Sequence, residues 1–181
     1  MATAPTVRKS ESEDPAALHW YVAYVRSYQE RTVAGFLQKA GYEYYLPIER
    51  EVHQWSDRKK VVERLVIPRI IFVHTTEFRR RQSLELIPYL TRYMCDGGPY
   101  TAVKVRDADM EAFRMMVEYG GRKVGVVQTL VPGDKVRVVA GPLKGLECEL
   151  VNVQGERCLA VHLGPVGTAT IELTTDSVEK I

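Results

Sequence analysis

Three consecutive guanidinium groups, Arg79-Arg80-Arg81, are followed by Gln82 and Ser83. A guanidinium fork matches phosphate oxygens in pairs, and its plane accepts a stacked base, so this run has the chemistry of a nucleic-acid contact. Arg26, Gln29 and Arg31 stand at the start of an expected helix and would extend that surface, since helix N-termini attract phosphates. A solvated helix face is the other reading, and it is the usual fate of a charge run. The same pair of readings, nucleic acid or solubility, applies to the cationic tip Arg58-Lys59-Lys60. A different chemistry gathers at Tyr24, Ile67, Pro68, Ile70 and Phe72, expected on or beside adjacent strands. An apolar surface with an aromatic centre suits a protein partner, whereas the same residues pointing inward are simply core. Strand alternation puts Ile70 and Phe72 on one side and Ile71 and Val73 on the other, so one set is free for exposure.

Catalytic and metal chemistry find no foothold. The chain has no G-x-x-x-x-G-K-[ST] loop, G-x-S-x-G elbow or H-E-x-x-H helix, and the reading is a non-enzymatic protein without a cofactor. His19, His53, His74 and His162 are scattered, and Cys95, Cys148 and Cys158 are odd in number without C-x-x-C spacing. Neither a zinc site nor a disulfide framework is expected. Trp20 and Trp55 are expected to pack rather than to bind ligands.

The chain's 181 residues, 45% of them hydrophobic, suffice for one medium domain or two small ones with packed cores. No apolar run approaches the roughly 18 residues of a membrane span, and the polar start lacks the apolar core of a secretory signal. These features predict a cytoplasmic protein with no membrane partner, expected as a monomer. The formal charge of +2 is unevenly spread. From Thr129 onward, five basic residues face seven acidic ones, which leaves 20 basic against 16 acidic in the first 128. The N-terminal part is therefore the one suited to a polyanion.

These residues need elements to hold them. Residues 1–17 are polar and expected to be disordered. His19 to Val25 alternates large side chains on both faces and predicts a strand, and Arg31 to Ala40 carries Val33, Phe36, Leu37 and Ala40 at helical spacing before Gly41. Tyr42 to Trp55 and Val61 to Val73 read as two long strands joined by a polar tip. Glu77 to Leu86 predicts a helix, Leu90 to Met94 a strand, and Asp107 to Tyr119 a helix burying Met110, Phe113 and Val117. This order predicts an α+β domain over 18–119, with helices packed on a four-stranded antiparallel sheet, followed by a linker over 120–130.

From 131 to 181 the pattern changes to short strands. Val136 and Val138 alternate with Lys135 and Arg137, then Leu146, Cys148 and Leu150 repeat the alternation after Gly141-Pro142-Leu143-Lys144-Gly145, a sequence made to reverse the chain. Further strands are expected around Arg157 to Leu163, Gly167 to Leu173 and Val178 to Ile181, giving an SH3-like β-barrel of about five strands. The β-branched Val136, Val138, Val151, Val153, Val161 and Ile171 predict that this region stays β throughout.

The spacing over Val131 to Val153 resembles the KOW motif of NusG-family transcription elongation factors, with Cys148 where that motif usually carries glycine. Trp20-Tyr21-Val22 and the run Val62 to Val73 resemble the N-terminal (NGN) domain of the same family, in which the centre usually reads Phe-Pro-Gly-Tyr; here Ile67, Arg69 and Ile70 flank Pro68. Together the two motifs cover about residues 19 to 181. The departures resemble a specialised paralogue, similar to the RfaH-like and UpxY-like antiterminators of polysaccharide operons. The resemblance implies that Tyr24, Ile67, Pro68, Ile70 and Phe72 dock on the clamp helices of the largest β-type subunit of RNA polymerase. It further implies that Arg26, Gln29, Arg31, Arg79, Arg80, Arg81 and Gln82 meet the non-template DNA strand of the transcription bubble. The barrel would recruit a ribosomal protein or Rho. Antitermination is the function implied, with a housekeeping NusG-type factor or a ribosome-associated KOW RNA-binding protein as alternatives.

Overall fold

A computed structural model describes residues 16–54, 59–96, 98, 101–119, 123–128, 131, 133–173 and 177–181. The expected disorder of the first 15 residues, Trp55 and part of the cationic tip lie outside these. β1 (His19–Val25) buries Trp20 and Val22 on one face and Tyr21, Ala23 and Val25 on the other, as a central strand must. α1 (Glu30–Lys39) presents Val33, Ala34 and Leu37 to the sheet and ends ahead of Gly41, whose φ of +70° suits glycine.

The two long strands expected next are each broken in two. β2 (Glu43–Tyr45) and β3 (Ile48–Gln54) replace the first, and β4 (Lys59–Leu65) and β5 (Ile70–Thr75) the second. Prolines make the breaks, because Pro47 and Pro68 have no N–H to give to a ladder. At the junction the Val66 N–H donates to the Pro47 carbonyl at 2.9 Å, and Arg69 turns the chain with φ +64°. β3 and β4 therefore form their own antiparallel ribbon, while β2 and β5 join β1.

α2 (Glu77–Leu86) opens on Thr76, whose hydroxyl accepts the Arg79 N–H at 3.3 Å. β6 (Leu90–Tyr93), β7 (Lys104–Val105) and α3 (Asp107–Tyr119) complete the N-terminal part. The sheet order is β2-β5-β1-β6, all antiparallel, with the two-residue β7 pairing Trp20 and Tyr21 of β1 alongside β6. One face packs on α1 through Tyr21, Ile71, Val73 and Leu37, and the other on α3 through Val22, Phe72, Met110 and Phe113. This is the expected helix-and-sheet arrangement with five strands in place of the expected four, and with Met116 buried in α3 and Val117 only half-buried.

The C-terminal part is a single antiparallel sheet of β8 (Gly125–Val127), β9 (Asp134–Ala140), β10 (Glu147–Val153), β11 (Glu156–His162), β12 (Thr168–Glu172) and β13 (Ser177–Lys180). The turn at 141–145 closes with the Gly145 N–H on the Val138 carbonyl at 2.8 Å. The strand path runs β13-β9-β10-β11-β12-β8, and among the described residues its two end strands do not pair. The expected barrel is thus an open, six-stranded sheet. β8 falls inside the expected linker and pairs with β12 over Thr168–Thr170. Only β-strands and the short 3-10 turn Gly164–Val166 occur as regular elements from residue 123 onward among the described residues.

The two parts share one apolar cluster, which runs from Trp20 and Phe72 through Met116 and Val124 to Val136, Leu163 and Ile171. Buried Glu49 of the β3–β4 ribbon adds a polar tie: it accepts the Val124 N–H at 2.5 Å and pairs with Arg64, whose guanidinium also donates to the Val124 carbonyl at 3.2 Å. Among the described residues, no helix is long and apolar enough to cross a membrane.

Candidate functional site

Four of the five apolar candidates come together where the two parts meet. Tyr24 and Ile70 are register partners on β1 and β5, and Ile67 and Pro68 form the β4–β5 turn beside them. With Val66 and Met94 they line one wall of a hollow of about 370 Å³; Val126, Gln128, Pro165 and Val166 of the C-terminal sheet line the opposite wall. Tyr24 is half-buried, Pro68 exposed, and Ile67 and Ile70 buried. The Arg92 guanidinium lies 4.7 Å over the Tyr24 ring, and the Thr91 hydroxyl donates to the Tyr24 carbonyl at 2.9 Å.

Phe72 is the exception. It shares a sheet face with Ile70 but is fully buried against Phe113 of α3, their rings 5.9 Å apart. Its expected place in an exposed patch is corrected to the core. Alternation assigns a side to a residue, and the cover over that side differs along the strand.

The arginine run is divided in the same way, because consecutive residues of a helix point about 100° apart. Arg79 caps the end of α1, donating to the carbonyls of Ala40 at 3.3 Å and Gly41 at 3.2 Å while stacking 4.3 Å over Tyr42. Arg80 is 6% exposed; it grips Glu77 through two bonds of 2.8 and 2.6 Å and covers the rings of Tyr21 and Tyr93. Its expected exposure on a nucleic-acid surface is corrected to a buried, paired position. Arg81 also bonds Glu77, at 2.9 Å, yet stays exposed beside exposed Gln82. Hydrogen bonds from Arg80 and then Arg81 hold the Glu77 carboxyl down at about 2, outweighing the desolvation that raises it. Burial pushes the Tyr93 hydroxyl up to about 12.

At the other end of α1, Arg26 is exposed, Gln29 is the half-buried N-cap residue without a side-chain capping bond, and Arg31 bonds Glu63 at 2.6 Å. Beside Arg26 lie exposed Tyr28, Arg69 and Tyr89, which the sequence reading missed. Their signal was weak: Arg69 and Tyr89 each follow a proline at the start of a strand, and Tyr28 interrupts a polar turn.

Among the described residues, no group of three or more His, Cys, Asp and Glu side chains is placed to hold a metal. Among the described residues Cys95, Cys148 and Cys158 form no disulfide, and burial, the largest cause, raises the pKa of Cys158. Trp20 is a packing residue, stacked on His74 at 4.7 Å with Arg114 over it at 4.6 Å.

Comparison with known proteins gives two matches along the chain. Residues 18–114 match the family described as "Transcription termination factor nusG", and residues 132–172 match the one described as "KOW motif". The solved structure of "Domain interaction in Thermotoga maritima NusG" is 21% identical, with 91% of this chain and 98% of that chain covered and a TM-score of 0.48. Conformations A and B of an "MjSpt4:Spt5 complex" are each 15% identical with a TM-score of 0.30. They cover 89% and 90% of this chain, and 98% and 97% of their own. A comparison with curated proteins finds no match.

Proposed function

This chain belongs to the NusG family of transcription factors, and we propose that it is a specialised antiterminator acting on RNA polymerase at particular operons, such as polysaccharide loci. The N-terminal half docks on the clamp helices of the largest β-type subunit and suppresses pausing or termination without catalysing a reaction. The observation that carries this reading is the apolar wall of Tyr24, Ile67, Pro68 and Ile70, which presents a half-buried aromatic ring at the mouth of a hollow. Protein interfaces centre on such rings. Because the C-terminal sheet forms the facing wall, docking requires the halves to part at this hollow.

Arg26 and Gln29, with Arg31, Arg81 and Gln82, form the remaining cationic and polar surface, which meets the non-template strand of the bubble; Arg79 and Arg80 position α1 and α2 rather than touching DNA. The C-terminal sheet, once released, binds a second partner, a ribosomal protein or Rho. The protein works in the cytoplasm as a monomer.

The test is recovery of core RNA polymerase by tagged protein, comparing the parent with Pro68→Asp. Position 68 is exposed, so the variant keeps its core, while an unpaired carboxylate buried at a true contact lowers recovery at least about tenfold. Equal recovery by a variant with the parent's circular dichroism rejects the patch.

A further inference from the structure

At one end of the N-terminal sheet, three residues other than glycine hold left-handed backbone: Tyr28 with φ +64°, Arg69 with +64° and Tyr89 with +66°. The fourth such residue among those described, Gln154, belongs to the β10–β11 hairpin turn with Gly155, where that angle is ordinary. A tyrosine in this region is strained relative to glycine, and strain of this kind persists only where surrounding bonds fix it, often at binding surfaces. Those bonds are present. The Val25 N–H donates to the Arg69 carbonyl at 2.9 Å, the Arg26 N–H to the Tyr89 carbonyl at 2.9 Å, and the Arg69 N–H to Glu30 Oε1 at 3.0 Å. Three chain crossings are thereby laced together at the end of β1.

The rings held this way do not serve the core. Tyr28 is 94% exposed and Tyr89 44% exposed. Exposed Arg26 and Arg69 stand at the same crossing, Arg26 bonded through its backbone to Tyr89. Phenol rings with few rotatable bonds lose little entropy on binding, and cations beside them attract a phosphate backbone. We propose that Tyr28 and Tyr89 form a stacking platform for unpaired bases, with Arg26 and Arg69 taking the phosphates of the same strand. Duplex DNA hides its base faces, so the platform selects single strands. This inference rests on the reading of Arg26 and Gln29 as a nucleic-acid surface and adds to it the residues that distinguish unpaired from paired DNA.

Glycine is the informative substitution, because it removes the ring and relieves the backbone angle together. Full-length protein, Tyr28→Gly, Tyr89→Gly and the matching phenylalanine variants are titrated at low salt against a labelled oligothymidylate and against a duplex of equal length, with fluorescence anisotropy as readout. Each glycine variant is expected to lose about tenfold in affinity for the single strand while its Tm is no lower than the parent's. The phenylalanine variants keep the parent's affinity, and none of the substitutions changes duplex binding. Parent-like single-strand binding by both glycine variants overturns the platform and leaves the arginine surface standing. A parent that does not bind the single strand at all overturns both. Glycine variants that lose polymerase recovery but keep the oligonucleotide assign the rings to a protein partner and overturn the platform.

Discussion

Glu77 holds two guanidinium groups, and protonating it unties both. Hydrogen bonds from Arg80 and Arg81 keep its carboxyl at about 2 instead of the ordinary 4.5. The folded value lies below the unfolded one, so the stability this group contributes is fully present above about pH 4.5 and is lost as the pH falls toward 2. A Glu77→Gln variant lacks that contribution at every pH. The gap in Tm between parent and variant, followed by circular dichroism from neutral pH downward, is therefore expected to narrow across this window; a constant gap would assign the carboxylate no such role. At this scale the sequence shows charge and not placement. Arg79, Arg80 and Arg81 are alike in the sequence, but one caps a helix, one is buried between Tyr21 and Tyr93, and one faces solvent. Which acid or ring each arginine meets depends on residues that lie up to dozens of positions away.

Elements are legible where a period runs long enough. β1 and α3 carry their apolar residues over full lengths, α2 stands ahead of Pro88, and the expected bounds of all three match the observed ones. β7 and β8, with two and three residues, are too short to show a period. Pro47 and Pro68 stand in apolar runs whose alternation continues through them, so hydropathy alone hides the breaks that their missing N–H groups impose. Close approach between strands is equally silent in the sequence. A Cβ on Gly133, at the entry to β9, would stand 1.9 Å from the backbone oxygen of Leu150 on β10. Gly133→Ala must push these strands apart and is expected to cost about 3 kcal/mol, read as a lower urea midpoint. An unchanged midpoint would mean that β9 and β10 shift apart without loss.

For the whole molecule, the halves meet over the hollow that carries the proposed docking wall. The sequence distinguishes the two halves by their periods and charge, but not their contact, because an apolar residue reads the same whether a helix, another half or a partner covers it. If docking needs that contact opened, weakening it from the C-terminal side must help. Pro165→Asp places a charge at the exposed rim of the hollow, in the first turn of a 3-10 segment where an acid is tolerated, and is expected to raise polymerase recovery several-fold. The opposite sign from Pro68→Asp makes the pair diagnostic, and a loss with both variants would remove the gating role. The apolar cluster that runs unbroken from Trp20 to Ile171 also governs how the chain meets heat. Neither lobe can melt without stripping the other of its packing, so differential scanning calorimetry should record one endotherm with matching calorimetric and van't Hoff enthalpies. Two resolved endotherms would mean that each lobe is self-sufficient, and that their shared packing adds little to either.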